Sequence, residues 1–471
     1  MDDPTQMTAS GLSRAIAGKT LSAQAVMAAH LDRIEALNPQ INAIVSLRPR
    51  DELLALARAA DDGPRKGWLH GLPIAVKDLA AVRGLRTTWG SPIFRDHVPA
   101  TDDVVVARMR AAGAIFIGKT NTPEWGLGSH SFNELFGATR NPYDLTRSAG
   151  GSSGGAAAAL AARMVPVADG SDMMGSLRNP AGFCNVYGFR PSWGLVPGDP
   201  VGDSFMATMA TLGPMARCPE DLAHLLTVLA GPHPALPFGR ETQDFAAALT
   251  GPVAGTRIGW LSDWGGAYPC EDGILPICEA ALSQFADLGC KVVPLPAPFP
   301  AERLWQSWMT LRAFLNAGGK RAMYDDPARR ALLKPEAVWE IEQGLNLTAA
   351  QVYEASETRS EWYRRAARLF EQVDVIALPV AQFWPFPVEW RWPGTVAGRP
   401  ADTYHRWMEI VVPVSLAGLP CLSVPVGFGA NGLPMGMQLA GPSGSDAAIL
   451  RLGQAWHHAT DWPGKRPPLQ G

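Results

Sequence analysis

The chain has 471 residues, room for two or three average domains or one large α/β domain, and its 47% hydrophobic content can fill a substantial core. With 41 basic against 44 acidic residues the net charge is −3, so neither sign dominates and broad electrostatic binding to nucleic acid or a membrane surface is excluded. No stretch of 18 uncharged apolar residues occurs, so no transmembrane helix is expected, and the acidic start Met1-Asp2-Asp3 with no apolar segment behind it gives no export signal.

Taken in chain order, residues 8–37 read as two amphipathic helices. The second starts on a Ser22 N-cap, carries Val26, Leu31, Ile34 and Leu37 at helical spacing, and stops at Asn38-Pro39. Residues 72–76 form an apolar strand that ends at Lys77. Thr101 or Asp102 caps a helix through Ala112, Gly113 ends it, and 114–117 is the next strand. Two serine-in-glycine loops follow, at 150–155 and 171–176, with an alanine-rich helix between them. Downstream, a helix over 275–288 precedes a strand over 291–294, and a helix over 355–371 precedes a strand over 373–380. A helix over 402–417 then precedes a strand over 421–426. Residues 435–439 form a further strand, and a last helix starts at Ser445. This alternation predicts an α/β fold with a large mixed, mostly parallel sheet covered by helices on both faces. No repeat or low-complexity linker divides the chain, so 1–471 is expected to be one domain. Residues 300–350 are helical, rich in Trp and Arg and outside the alternation; an insertion or lid over the site is expected there.

The six cysteines (Cys184, Cys218, Cys270, Cys278, Cys290 and Cys421) are scattered, with no CxxC pair. Without an export signal they are expected to stay reduced in a cytoplasmic protein. His457 and His458 are adjacent, which points their rings to different sides of a helix, and no HExxH occurs, so neither a metal nor another cofactor is expected.

Two literal motif matches fail on context. Gly113 to Thr120 fits GxxxxGK[ST], but its middle, Ala-Ile-Phe-Ile, is itself a strand, and Asn121-Thr122-Pro123 follows where a phosphate loop needs a helix. Gly151 to Gly155 fits GxSxG, but a nucleophile elbow needs a strand running into the turn, and the preceding residues 141–147 read as loop. His224, His233, His405, His457 and His458 stand in no context that marks a catalytic base.

A serine in a glycine loop becomes a nucleophile only if a base reaches it. Lysine can be that base when burial disfavours its charge, and Lys77 ends an apolar strand. The residues therefore suggest a serine hydrolase without histidine. The block from Gly150 to Ser176 resembles the amidase signature family: GGSSGG, an alanine-rich helix, then G-[ST]-D-x-x-G-S-[IVL]-R-x-P-A. So do GLPIAVKD over 71–78, GKTN over 118–121, FGATRNP over 136–142, GLP over 418–420 and GLPMGMQ over 432–438, which spread the resemblance over nearly the whole chain.

The resemblance implies the amidase signature fold and a Ser-cisSer-Lys set: Ser176 as nucleophile, Ser152 as a bridging serine preceded by a cis peptide, and Lys77 as base. The backbone N–H groups of Met173, Met174, Gly175 and Ser176 would form the oxyanion hole. Asp172 and Arg178 would brace the loop as an ion pair, Ser153 would support the network, and Trp125, Gly126, Leu127 and Gly128 would line the substrate cleft. Trp125 could equally be packing. The family commonly has a small or β-branched residue and then glycine where this chain has Met173-Met174, and Asn179 replaces the usual apolar residue after the arginine. The methionines either fill core space or line the acyl pocket; both uses suit a flexible thioether.

The expected reaction is acyl-enzyme hydrolysis of a small amide, ester or carbamate (urethane) by water, with apolar or aromatic substrates favoured by 16 tryptophans and the methionine pair. The expected state is a monomer or homodimer that engages neither nucleic acid nor membrane. The alternatives are the glutamine-hydrolysing A chain of a glutaminyl-tRNA amidotransferase and a non-catalytic binding protein on the same fold.

Overall fold

In the computed structural model, which describes residues 3–469, eight strands form one sheet. Met1, Asp2 and the final two residues of the expected 1–471 span lie outside the described residues. The strand order is Lys291–Pro294, Arg257–Trp260, Val375–Pro379, Pro434–Ala440, Cys421–Phe428, Tyr187–Arg190, Thr211–Ala216, Val167–Asp172. The first three strands pair in parallel. Every later pairing is antiparallel. The large mixed sheet is as expected, but parallel pairing does not predominate in it. A helix before a strand implies a parallel neighbour only when that helix crosses between adjacent strands. Here Cys421–Phe428 and Pro434–Ala440 close as a hairpin, and Tyr187–Arg190 pairs with Cys421–Phe428 from far away in the chain.

A second sheet of three strands, Ile44–Val45, Ile115–Thr120 and Pro73–Lys77, brings the lysine to the site. Pro73–Lys77 is buried along its length and runs parallel to Ile115–Thr120. That second strand takes up the whole Ile115-to-Thr120 part of the GxxxxGK[ST] match, leaving no loop to cradle a phosphate. The helix Gly154–Ala161 is wholly buried. Its small residues let the chain pass close: a Cβ on Gly155 would stand 2.3 Å from the Asn121 backbone nitrogen. The buried residues of both sheets and this helix form one continuous apolar core.

Several element boundaries move. The helix capped by Ser22 runs over Ala23–Ile41, through Pro39, and ends on Asn42 in the left-handed conformation. Val104–Ala111 starts after Asp103, not after Thr101 or Asp102; Asp102 instead pairs with Arg110. Ala349–Leu369 starts earlier than expected, on a Thr348–Gln351 capping box. The expected 402–417 helix is a 3-10 turn, Arg406–Val411, followed by a short α-helix, Val412–Ala417. Pro413, in the first turn of the α-helix, has no N–H to bond back to Glu409, so the α-helical ladder does not run back into the 3-10 turn.

Residues 300–350 are helical as expected, chiefly Ala301–Asp325 and Pro335–Leu345. No helix among the described residues is long and apolar enough to cross a membrane.

Candidate active site

Lys77 is the last residue of its strand and is almost fully buried. Its backbone N–H donates to Asp169 Oδ1 at 3.0 Å, which ties the lysine strand to Val167–Asp172 in the large sheet. The Nζ donates to three hydroxyls: Ser152 Oγ at 2.8 Å, Ser153 Oγ at 2.8 Å and Ser171 Oγ at 2.9 Å. Burial pulls the ammonium down to about 7, against the opposing pull of the Asp169 and Asp172 carboxylates. An amine held there can gain or lose a proton near neutrality.

The three hydroxyls come from two loops that lock together. The peptide bond between Gly151 and Ser152 is cis, as the resemblance implied. Ser131 Oγ donates to the Ser152 carbonyl at 3.3 Å and accepts the Gly154 N–H at 3.0 Å, fixing the first loop. Ser153 N–H donates to the Ser176 carbonyl at 3.3 Å, and Ser171 N–H donates to Ser153 Oγ at 3.4 Å, joining it to the second. Ser171 was not among the expected site residues, although it occupies the [ST] position of the G-[ST]-D pattern.

Asp172 organises the second loop. Its buried carboxylate accepts the Gly175 N–H at 2.9 Å and the Leu177 N–H at 3.2 Å, two Arg178 bonds at 3.0 Å each, and Arg190 Nη1 at 3.0 Å. Burial would raise this carboxyl, but the Arg178 and Arg190 guanidiniums hold it well below the usual carboxylate range. Arg178 continues to Ser415 Oγ at 2.6 Å, the Val411 carbonyl at 3.2 Å and Gln438 Oε1. The expected Asp172–Arg178 pair is therefore present, within a larger network that adds Arg190.

One expected oxyanion donor is corrected. The Gly175 N–H is already bound to Asp172, because the loop folds back on that carboxylate. Gly175 itself has φ +76°, and a Cβ there would stand 2.9 Å from Val411 Cγ2, so the position suits glycine alone. The N–H groups of Met173, Met174 and Ser176 have no such acceptor among the described residues.

Ser152, Ser171, Met173, Met174 and Ser176 line one cavity of about 260 Å³, together with all four expected cleft residues, Trp125, Gly126, Leu127 and Gly128. Lys77 lies behind the serines, outside the wall. The Ser176 hydroxyl makes no hydrogen bond to Ser152 or to any other described residue, so it is free to turn. Trp125 serves both readings: it lines the cavity and also stacks on Trp89, with ring centroids 6.2 Å apart.

The methionines separate. Met174 is buried in the core, whereas Met173 is partly buried and its Sδ lies 3.5 Å from Arg312 Nη1. Arg312, Asn316 and Lys320, from Ala301–Asp325, complete the wall and are backed by Glu340 and Tyr404. None of these five was expected from sequence. The period-four spacing of the first three along one helix was the available sign.

Comparison with known proteins points to one family. The family model described as Amidase matches residues 25–450. An acylamidase from Rhodococcus erythropolis is 32% identical over 470 residues, covering 98% of this chain and 97% of that protein. The A chain of the glutamyl-tRNA(Gln) amidotransferase of Thermus thermophilus is 36% identical over 484 residues, covering 98% and 99%. The crystal structure of a bacterial aryl acylamidase of the amidase signature enzymes superposes with a TM-score of 0.91 at 28% identity, covering 98% of this chain and 99% of that one.

Proposed function

The chain belongs to the amidase family, whose members hydrolyse amides, and from that premise we propose that it cleaves small amides through an acyl-enzyme on Ser176. Ser152 carries the proton between Ser176 and Lys77. The observation that carries this reading is the Lys77 amine, buried among three hydroxyls and drawn down to about 7, directly behind the cavity wall that holds Ser176.

Substrate binding turns Ser176 Oγ toward Ser152, since a catalytic hydrogen bond often tightens only in the complex. Neutral Lys77 takes the Ser152 proton while Ser152 takes that of Ser176, and Ser176 Oγ bonds to the amide carbon. The oxyanion falls to backbone N–H groups of Met173, Met174 and Ser176, where one lost donor typically costs about 3 kcal/mol. The proton returns through Ser152 to the departing amine. Water then hydrolyses the ester by the same route in reverse. Ser153 and Ser171 hold the amine in place, and Asp172 with Arg178 sets the loop. Esters and carbamates present the same carbonyl to the same donors, so they belong to the proposed range beside apolar and aromatic amides. Within residues 300–350, the helix Ala301–Asp325 lines the cavity and acts as a cover over it.

A fluorophosphonate is expected to label the protein on Ser176, as mapped by mass spectrometry; a label on Ser153, or none, overturns the assignment. A panel of anilides, p-nitrophenyl esters, aryl carbamates and glutamine tests the substrate class. Turnover of glutamine alone would favour the amidotransferase reading, which the 36% identity to such a chain keeps in view.

The base must be neutral to act, so activity is lost as Lys77 gains its proton. For a good amide substrate, kcat/KM is expected to fall about tenfold per pH unit below about 7 and to level off above it. A profile flat from pH 5 to 8 would remove Lys77 from the role of base.

A further inference from the structure

We propose that Lys320 gives the cavity a preference for substrates that carry a carboxylate away from the scissile amide, held against its ammonium. This deepens the reading of the cavity as an amidase active site and rests on it.

The helix Ala301–Asp325 presents Arg312, Asn316 and Lys320 to the cavity on successive turns of one face. At the rise of an α-helix, Lys320 lies about 12 Å along the axis from Arg312, which touches Met173. Lys320 Nζ reaches back one turn to Asn316 Oδ1, so a ligand group held there sits on the wall that this helix forms and not on the loop of Ser176.

The charges of this end do not cancel. Arg312 is paired with Glu340 at 2.8 Å and also donates to Tyr404 Oη at 3.0 Å. Lys334 donates to the Leu127 carbonyl at 2.6 Å, next to Glu124. Glu124 in turn accepts the Ser91 hydroxyl at 2.6 Å and the Lys334 N–H at 2.8 Å. Glu336 also faces Lys334 and is held by Arg391 at 2.6 Å, so four cations face three carboxylates. The Lys334 ammonium is taken up by the Leu127 carbonyl, and Lys320 makes no ion pair among the described residues. Among the described residues Lys320 donates only to Asn316 Oδ1, at 2.6 Å, which leaves two of its N–H groups unused.

Its other neighbour is the Trp125 ring, with Nζ 5.9 Å from the centroid. The indole N–H of Trp125 is buried without an acceptor among the described residues, a second unused donor in the same wall. Much of the remaining wall is apolar: Leu79, Leu127, Met174 and Met408. An ammonium is costly in such a place, and burial draws Lys320 down to about 8. Lys320 is half-buried, so a carboxylate arriving there gains an ion pair partly shielded from water, and an uncharged group gains nothing comparable.

Two matched substrate pairs place the carboxylate on either side of the amide: 4-acetamidobenzoate against 4-methylacetanilide, and succinanilate against butyranilide. In at least one pair the wild-type protein is expected to favour the carboxylate by about tenfold or more in kcat/KM. Lys320→Met should collapse that ratio toward one, and Lys320→Arg should keep it. No preference in either pair, or a preference that survives Lys320→Met, overturns the proposal. Cleavage of none of the four substrates would count against the amidase reading instead. Calorimetric binding of succinanilate and 4-acetamidobenzoate to the Ser176→Ala protein then tests the lysine without turnover. Binding of either, weakened tenfold on adding Lys320→Met, supports the proposal; binding of neither, or binding that is indifferent to Lys320, overturns it.

Discussion

Replacing Ser176 with alanine is expected to lower kcat by about 10⁴- to 10⁶-fold, the range seen when a serine hydrolase loses its nucleophile. The fold should not register the change. The Ser176 hydroxyl has no hydrogen-bond partner among the described residues, and alanine removes one atom from a cavity wall. The thermal midpoint of Ser176→Ala should therefore match that of the wild type. Ser152→Ala should behave differently, because it takes away an acceptor of the buried Lys77 amine as well as the proton relay. Steady-state kinetics beside a melting curve separates the two. If Ser176→Ala kept wild-type turnover while Ser153→Ala lost it, the order of the serines would have to be rewritten.

Asp172→Ala is expected to have the largest effect on stability, a loss of about 3–5 kcal/mol, because it leaves two buried guanidiniums facing each other without their shared counter-charge. It also frees the Gly175 and Leu177 N–H groups, so the loop that carries Ser176 loses its template. The same carboxylate has a pH signature. Its folded-state pKa is depressed, so its contribution is complete above the unfolded value of about 4 and is lost as pH falls through the lowered one. Denaturant unfolding of the wild type should show stability declining below about pH 4, and the variant should lack the part of this decline that Asp172 supplies. A variant as stable as the wild type at pH 7 would contradict the account.

That Lys77, Ser152 and Ser176 gather at one place was the most legible part of the chain. Lys77, Ser152 and Ser176 are small-range signals: each sits in a local pattern of glycine, serine or apolar residues that reads the same in sequence and in space. Strand and helix identities were also legible, because the period of apolar residues reports which face is buried. Strand direction was not. Whether Pro434–Ala440 lies parallel or antiparallel to Val375–Pro379 depends on where the chain travels between them, and no local pattern records that route. The far wall of the cavity was hidden for the same reason. Arg312, Glu340 and Tyr404 lie 28 to 92 residues apart and look like ordinary surface-helix and loop residues until packing brings them together. The Gly175 N–H was misjudged because a glycine loop shows that backbone can be exposed, not which acceptor it will find.

Arg178 reaches Ser415, 237 residues downstream, and Gln438, 260 residues downstream, and this separation bears on how the protein is made. Lys77, Ser152 and Ser176 are all synthesised in the first two-fifths of the chain. Ser415 and Gln438, two of the side chains that hold Arg178, arrive in the last eighth. A growing chain on the ribosome therefore carries all three proposed reacting groups before these two anchors of Arg178 are made. Such long-range closure favours slow folding, and a product that ends before Ser415 keeps the proposed nucleophile while lacking two of the side chains that hold Arg178.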